Sequence, residues 1–473
     1  MLGAFYWSYT ANNNFPFYYH TDEPGKVRQI IDGTRNYRHP LLLIDATDLL
    51  VRALKIDKTQ QNLVHVGRCI SAFAAVMSIS AVVLITRRHS DWTFGLLAGA
   101  IAGSHPFLFE ATHYMKEDCV LLAGIIWSLY ALDLFCASGS SMSILLCGFA
   151  AGVAASGKYL GVMTLLLAVG VIISKSKDWK RAVRILIFLC GIFLATFLLI
   201  NLRAVMHFSD AINGIGAEVH RINRDRSALL SSNYFWRLLR NGGPLLLLGA
   251  LTYFVTFFRE RKKTIEWALL IFAFVYLSAL CFTPLAKDRY LIPIVAILSI
   301  FAVLGIRSLA QAIVNRHARF PYFGAAIAGC IVVLACQMPL TISEAKEFQR
   351  DVRTEMVQWI RDHLPNDAVI AHDPHTWPSV DPLVPQRQIS PTLFSAELQN
   401  IDNMKRLGIT HVVVAGRLYR RVVGEGGQSI TPDNAFYKDV ETNGIASWRV
   451  LPGKILYLSP GLTVYSLPKT IAQ

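Results

Sequence analysis

Charge is what this 473-residue chain has least of. Asp, Glu, Lys and Arg make up 16% of it, where a soluble domain carries roughly a quarter. With 53% hydrophobic residues and a mean hydropathy of +0.40, that shortage excludes an ordinary soluble enzyme and indicates a polytopic membrane protein. Cysteine is sparse in the polar segments. The eight run from Cys69 to Cys336 and all lie in or beside apolar runs, which leaves no disulfide framework or zinc knuckle and makes them small buried hydrophobes. No segment interleaves basic and aromatic residues along a polar face. The net charge of +14 and pI of about 9.4 therefore do not indicate nucleic acid. Many of the cations sit between apolar runs, where the positive-inside rule and anionic lipid account for them. No internal repeat or low-complexity stretch is present.

What is present is a series of apolar runs, at about 63–86, 92–110, 119–137, 142–157, 160–174, 185–206, 243–258, 266–284, 290–306 and 321–340, about ten or eleven spans in all. Met1–Ala11 is apolar but too short to span, and it lacks the basic start and cleavage site of a signal peptide. It reads either as the end of a first span or as an interfacial stub. Leu41, Leu42, Ile44, Leu49, Leu50, Ala53 and Leu54 recur at helical spacing and predict an amphipathic helix at the interface. The two short runs flanking Ser156-Gly157-Lys158-Tyr159 predict helices meeting at a tight turn, with Lys158 at the membrane surface.

Alternate loops carry Arg87-Arg88, then Lys175, Lys177, Lys180, Arg181 and Arg184, then Arg259, Arg261, Lys262 and Lys263, then Arg307, Arg316 and Arg319. Short basic loops face the cytoplasm. The opposite face then receives the first polar loop (12–62), His113–Asp118, Lys158, the 207–242 segment, Lys287–Arg289 and everything after about 341. From 343 the pattern changes to mixed polar and apolar. A helix is expected over Glu347–His363 and another over Glu397–Leu407. Strands are expected at Ala368–Ala371, His411–Ala415, Lys454–Leu458 and Thr463–Leu467. The expected architecture is a polytopic α-helical domain over 1–342 and a small extracytoplasmic α/β domain over 343–473.

Carboxylates and cations assigned to one face are the candidates for chemistry. Asp22-Glu23 lies in an extended loop, where successive side chains point apart. One acid can face a substrate as a general base while the other pairs with a cation; alternatively the pair is a solvated turn. Glu117-Asp118 precedes an apolar helix, so Asp118 reads as a functional acid, as an N-cap favoured by the helix dipole, or as both. A divalent metal held by His113, Asp118 and Asp22 would fit the residue types, but no metal-ligand spacing supports it. Lys158 and Arg289 at span ends are either snorkelling cations or phosphate ligands. Tyr159 and Tyr290, each following its cation, fit an interfacial aromatic belt.

In this order, Tyr18-Tyr19-His20-Thr21-Asp22-Glu23, Arg38-His39-Pro40-Leu41, His113 with Asp118, Gly152–Gly161 around Lys158, and Asp288-Arg289-Tyr290-Leu291-Ile292-Pro293 resemble the motifs of the GT-C membrane glycosyltransferases. The branch is the one containing protein O-mannosyltransferases and aminoarabinose transferases of lipid A. The resemblance covers roughly residues 18–310, and the tail is similar to that branch's C-terminal domain. It implies inverting transfer of a hexosyl or pentosyl group from a polyprenyl-phosphate donor to a hydroxyl of a lipid, glycan or protein, with no cofactor assigned. It places the chain in a bacterial inner membrane with its active site on the periplasmic face. Asp22 would be the catalytic base with Glu23 beside it. Lys158, Arg289 and Tyr290 would hold the donor phosphate, and His39, His113, Asp118 and Tyr159 would bind or orient substrate. The family's first full span precedes the acidic loop, where this sequence has only Met1–Ala11.

The chemistry fits these residue types. A sugar leaving a lipid phosphate expels an anion, so the reaction needs cations at the departing phosphate and a base at the acceptor hydroxyl. A lipid or solute transporter would instead require charges at mid-membrane and a repeat. A non-catalytic receptor would be indifferent to substitution of Asp22, Lys158 and Arg289.

Overall fold

The structure, a computed structural model, describes the chain apart from residues 14–19, 21, 225–232, 242, 258–263, 283–286, 315–321, 373–375, 378–383, 392–396, 417–431, 454, 456–458 and 469–473. Tyr18, Tyr19, Thr21, the basic loop Arg259–Lys263, Arg316, Arg319 and most of the expected strand Lys454–Leu458 lie outside the described residues. The chain divides into two units, one of Met1–Asn13 with Glu23–Ile342, the other of Asn14–Asp22 with Ser343–Gln473.

The first unit is helical. α1 (Leu2–Thr10), α2 (Glu23–Ile31) and α3 (Leu42–Ala53) precede α4 (Gln60–His89), which at 30 residues is longer than a bilayer requires. Thr59 caps α4 by accepting from the Asn62 N–H, and Arg87, Arg88 and His89 fill its last turn, where cations complement the helix dipole. The apolar run at 92–110 is not one helix. It breaks into α5 (Trp92–Gly103) and α6 (Pro106–Thr112) because Pro106 has no N–H to continue the ladder and the His105 ring caps the new start.

α7 (Asp118–Ser138), α8 (Ser141–Gly157), α9 (Val162–Lys175) and α10 (Trp179–Ile200) follow. The run at 185–206 breaks at Asn201 into α10 and α11 (Leu202–Met206). The polar 207–242 segment forms two helices, α12 (Phe208–Arg224) and α13 (Asn233–Asn241). α14 (Pro244–Phe257), α15 (Thr264–Cys281), α16 (Ile292–Val314) and α17 (Tyr322–Glu347) complete the set.

Among the described residues, six helices are long and apolar enough to cross a membrane, or seven if the bent pair Tyr234–Arg240 and Pro244–Val255 is one span. α5, α8 and the 159–175 stretch are apolar but shorter. The α4, α7 and α16 spans are mostly buried, whereas the α10 span is only 11% buried and the α17 span 28%. Beyond Lys180, Arg181 and Arg184 at the start of α10, its exposed side is apolar, as is that of α17 as far as Ile342, which suits lipid-facing surfaces.

The second unit is a five-stranded sheet of order β2-β1-β3-β5-β4. β1 (Val369–His372) pairs in parallel with β2 (Arg387–Ile389) and β3 (His411–Ala415), while β5 (Leu462–Ser466) is antiparallel to β3 and β4 (Ile445–Val450). Strand alternation sends Ala371, Val412 and Val414 to one face, under helices Ile401–Arg406 and Pro432–Asn443. Ile370, Val413 and Val464 go to the other, under α18 (Val352–His363). β2, β4 and the Pro432–Asn443 helix were not legible from their sequence pattern.

Candidate functional site

The polar centre of the first unit is built from buried ion pairs. Arg68, in the third turn of α4, is fully enclosed and binds Glu23 through two bonds, Nε to Oε1 at 3.1 Å and Nη2 to Oε2 at 2.8 Å. Its Nη1 donates to the Asn13 carbonyl at 3.0 Å, and Glu23 Oε1 also accepts the Met115 N–H at 2.8 Å. A bidentate pair with its remaining valences filled is the arrangement in which a buried charge is tolerated. Gly67 makes room for it, since a Cβ there would sit 2.4 Å from Met115 Cγ. One helical turn after Glu23, Lys26 is also buried and pairs with Glu117.

The second half of the centre lies at the start of α7. Asp118 is its first residue; the N-cap position belongs to Glu117, whose side chain caps nothing. The N-cap reading of Asp118 is therefore corrected, because its carboxylate is turned to cations instead. Lys158 Nζ bonds Asp118 Oδ1, and Arg289 Nε lies 3.3 Å from Oδ2. The Tyr290 ring centroid is 4.4 Å from Lys158 Nζ and 5.2 Å from the Arg289 guanidinium carbon, within cation–π range of both. Lys158 and Arg289 are thus not snorkelling cations at a surface; their side chains are 18% and 9% exposed.

The local sequence explains this convergence. α8 ends at Gly157, where a Cβ would meet the Leu121 backbone N at 2.8 Å. The glycine lets the end of α8 abut the first turn of α7, and extended Lys158 then points across to Asp118. Asn201 ties the motif at 38–41 to the same place: it accepts the Leu41 N–H at 2.9 Å and donates to Ser156 Oγ at 3.0 Å. Arg289 sits in a 3-10 turn, Asp288–Leu291, whose Asp288 is held by Arg237 at 2.7 Å.

Electrostatics sorts the protonation states. Burial raises the Glu117 pKa, but Lys26, Lys116 and His39 outweigh it and hold the carboxyl well below its ordinary range. Burial likewise lowers Lys158, yet Asp118 and Tyr290 reverse the sign and keep it charged. His39 is lowered, first by burial and then by Lys26, Lys116 and Lys158 against the opposing pull of Glu117. Burial pushes His113 down to about 4, so its ring is neutral at pH 7.

Of the residues singled out in the sequence, Asp118, Lys158, Arg289 and Tyr290 come together, and His39 lies within charge reach of Glu117 and Lys158. His113 Nδ1 faces the Phe109 carbonyl at 2.8 Å, and Tyr159 donates to the Tyr37 carbonyl at 3.2 Å; neither bond joins the Asp118 cluster. Asp22 and Glu23 part. Glu23 is enclosed in the first unit, while Asp22 belongs to the second, its side chain half exposed at 48% and its Oδ2 3.7 Å from His20 Nδ1. Among the described residues, no group of three His, Cys, Asp or Glu is placed to hold a metal.

Sequence reasoning missed Arg68, Lys26 and Lys116. Arg68 lies within the apolar run 63–86, and Asp133 within the run 119–137, buried against Arg88 and His89. An ionisable residue inside an apolar run was the available signal.

Residues 59–202 match the family model for dolichyl-phosphate-mannose-protein mannosyltransferase. ArnT from Cupriavidus metallidurans bound to undecaprenyl phosphate superposes with a TM-score of 0.53 at 12% identity, covering 100% of this chain and 98% of that one. The oligosaccharyltransferase AglB from Archaeoglobus fulgidus, in complex with an inhibitory peptide and a dolichol-phosphate, gives 0.50 at 13% identity over 90% and 67%. No curated protein sequence matches the chain. These matches bear out the resemblance to the GT-C membrane glycosyltransferases; at these identities the structural likeness is one of fold.

Proposed function

We propose that this chain is an inverting glycosyltransferase of the membrane, moving a sugar from a polyprenyl-phosphate donor to a hydroxyl of a lipid, glycan or protein on the extracytoplasmic face. The observation that carries it is the convergence of Lys158 and Arg289, over the Tyr290 ring, on one buried carboxylate. Two cations sharing Asp118 leave positive charge for an anion. That is what a departing phosphate requires.

In this reading the acceptor oxygen attacks the sugar's anomeric carbon as the carbon–oxygen bond to phosphate breaks. The bonding pair leaves with the polyprenyl phosphate, which Lys158 and Arg289 receive, and the acceptor's proton passes to Asp22. Glu23 is already committed to Arg68 and the Met115 N–H, which leaves Asp22, the base that the resemblance implies. The phosphate is a good leaving group and needs no general acid. The test is to incubate purified protein with a panel of labelled polyprenyl-phosphate sugars. Consumption of one donor with release of polyprenyl phosphate is expected, and consumption of none contradicts the proposal.

A further inference from the structure

Glu117 has two carboxylate oxygens and uses one. Oε1 takes the Lys26 ammonium, whereas Oε2 is buried and, among the described residues, meets no hydrogen-bond donor. The residue is 1% exposed. Leaving a charged oxygen out of water with nothing to accept from is costly, and native structures rarely do so without a reason. Nor does protonation relieve it, because the surrounding cations hold the carboxyl ionised. The place is also specific. Glu117 directly precedes Asp118, the residue that gathers Lys158 and Arg289, and His39 interacts with both Glu117 and Lys158. A sugar-phosphate whose phosphate met Lys158 and Arg289 at Asp118 would bring its sugar to the region of the adjoining Glu117.

The neighbours restrict what can donate. Lys26 already pairs with Oε1, and the Lys116 ammonium adds a second positive charge that acts on the same carboxylate. Glu117 is already matched by Lys26, so a second cation at Oε2 would meet mainly repulsion, while a neutral hydroxyl would not. We propose that Glu117 is a specificity-determining residue whose Oε2 accepts a hydrogen bond from a hydroxyl of the transferred sugar, and that the lysines around it select a neutral sugar over an amino sugar carrying positive charge. This rests on the site being a sugar-phosphate donor site and adds which part of the donor is read, and by what.

The experiment takes whichever polyprenyl-phosphate sugar the intact protein consumes and compares it with its monodeoxy analogues and with amino analogues at the same positions. A hydroxyl bonded to a buried carboxylate makes its deoxy analogue about ten- to a hundredfold poorer in kcat/KM. One position is expected to show that loss, and the ammonium analogue at that position is expected to be at least as poor as the deoxy one. In Glu117→Ala the parent sugar falls to the level of the deoxy analogue and the difference between them disappears. Should Glu117→Ala fail to fold with Lys26 left alone, the Glu117→Ala/Lys26→Met double variant makes the same comparison, and the analogue series on the unaltered protein stands by itself. Equal use of all deoxy analogues, preference for an amino sugar, or a deoxy penalty that survives removal of Glu117 overturns the inference while leaving the proposed function intact. Consumption of no polyprenyl-phosphate sugar removes both.

Discussion

At the scale of single residues, the buried ion pairs of the site each make a prediction. Lys158→Ala or Arg289→Ala should weaken donor binding by roughly 1.5–3 kcal/mol, the worth of a charge-assisted bond to phosphate. Titrating the variants with polyprenyl phosphate checks this, and parent-like affinity in both would return the two cations to a structural role. Glu23→Gln should act on stability more than on chemistry. It strips the counter-charge from Arg68, and breaking a buried pair costs about 3–5 kcal/mol. Adding Arg68→Met should recover melting temperature, which a catalytic role for Glu23 would not predict.

His113 gives a pH dependence. Its folded pKa of about 4 lies below the unfolded value of 6.5, so the unfolded chain binds the proton more readily. The stability it contributes is therefore complete above about 6.5 and is lost as pH falls toward 4, on the order of 3 kcal/mol in total. The melting temperature of the detergent-solubilised protein should fall as pH drops from about 6.5 toward 4, and fall less in His113→Phe.

At the scale of elements, sequence pattern succeeded where one physical signal dominates. The amphipathic helix at 42–53, the turn at Lys158 and the strand at 411–415 follow from periodicity, a glycine break and a β-branched run. It failed where tertiary bonds decide. The apolar runs 92–110 and 185–206 look continuous, yet His105 and Asn201 break them by bonding backbone groups. Asp118 passed for an N-cap because its partners, Lys158 and Arg289, are 40 and more residues away in sequence. Gly157 is the element-scale test of the site. In Gly157→Leu the end of α8 must move off α7, and donor binding should fall about as far as in Lys158→Ala although no charge is lost. Unchanged binding would mean that the helix contact does not set the reach of Lys158.

At the scale of the whole molecule, the fold was legible as a class, with apolar helices followed by a small α/β unit, because hydropathy alone encodes it. The pairing of Arg68 with Glu23 was not, since an arginine inside an apolar run calls for a partner but nothing local says which acid supplies it. Charge alternation predicts that Lys175–Arg184 faces the cytoplasm and the 343–473 unit faces away. A thiol-reactive label that cannot cross the membrane should reach a cysteine placed at Thr442 only from outside; labelling from the cytoplasm would contradict the orientation read from the charge alternation.

The most direct measurement is of sugar transfer by Asp22→Asn, with donor binding assayed separately. The amide keeps the shape of the side chain but cannot take the acceptor's proton. Turnover should fall by about 10²–10⁴ while donor affinity stays at the parent value. Retention of most of the transfer activity would show that the carboxylate at position 22 is not the base and contradict the mechanism.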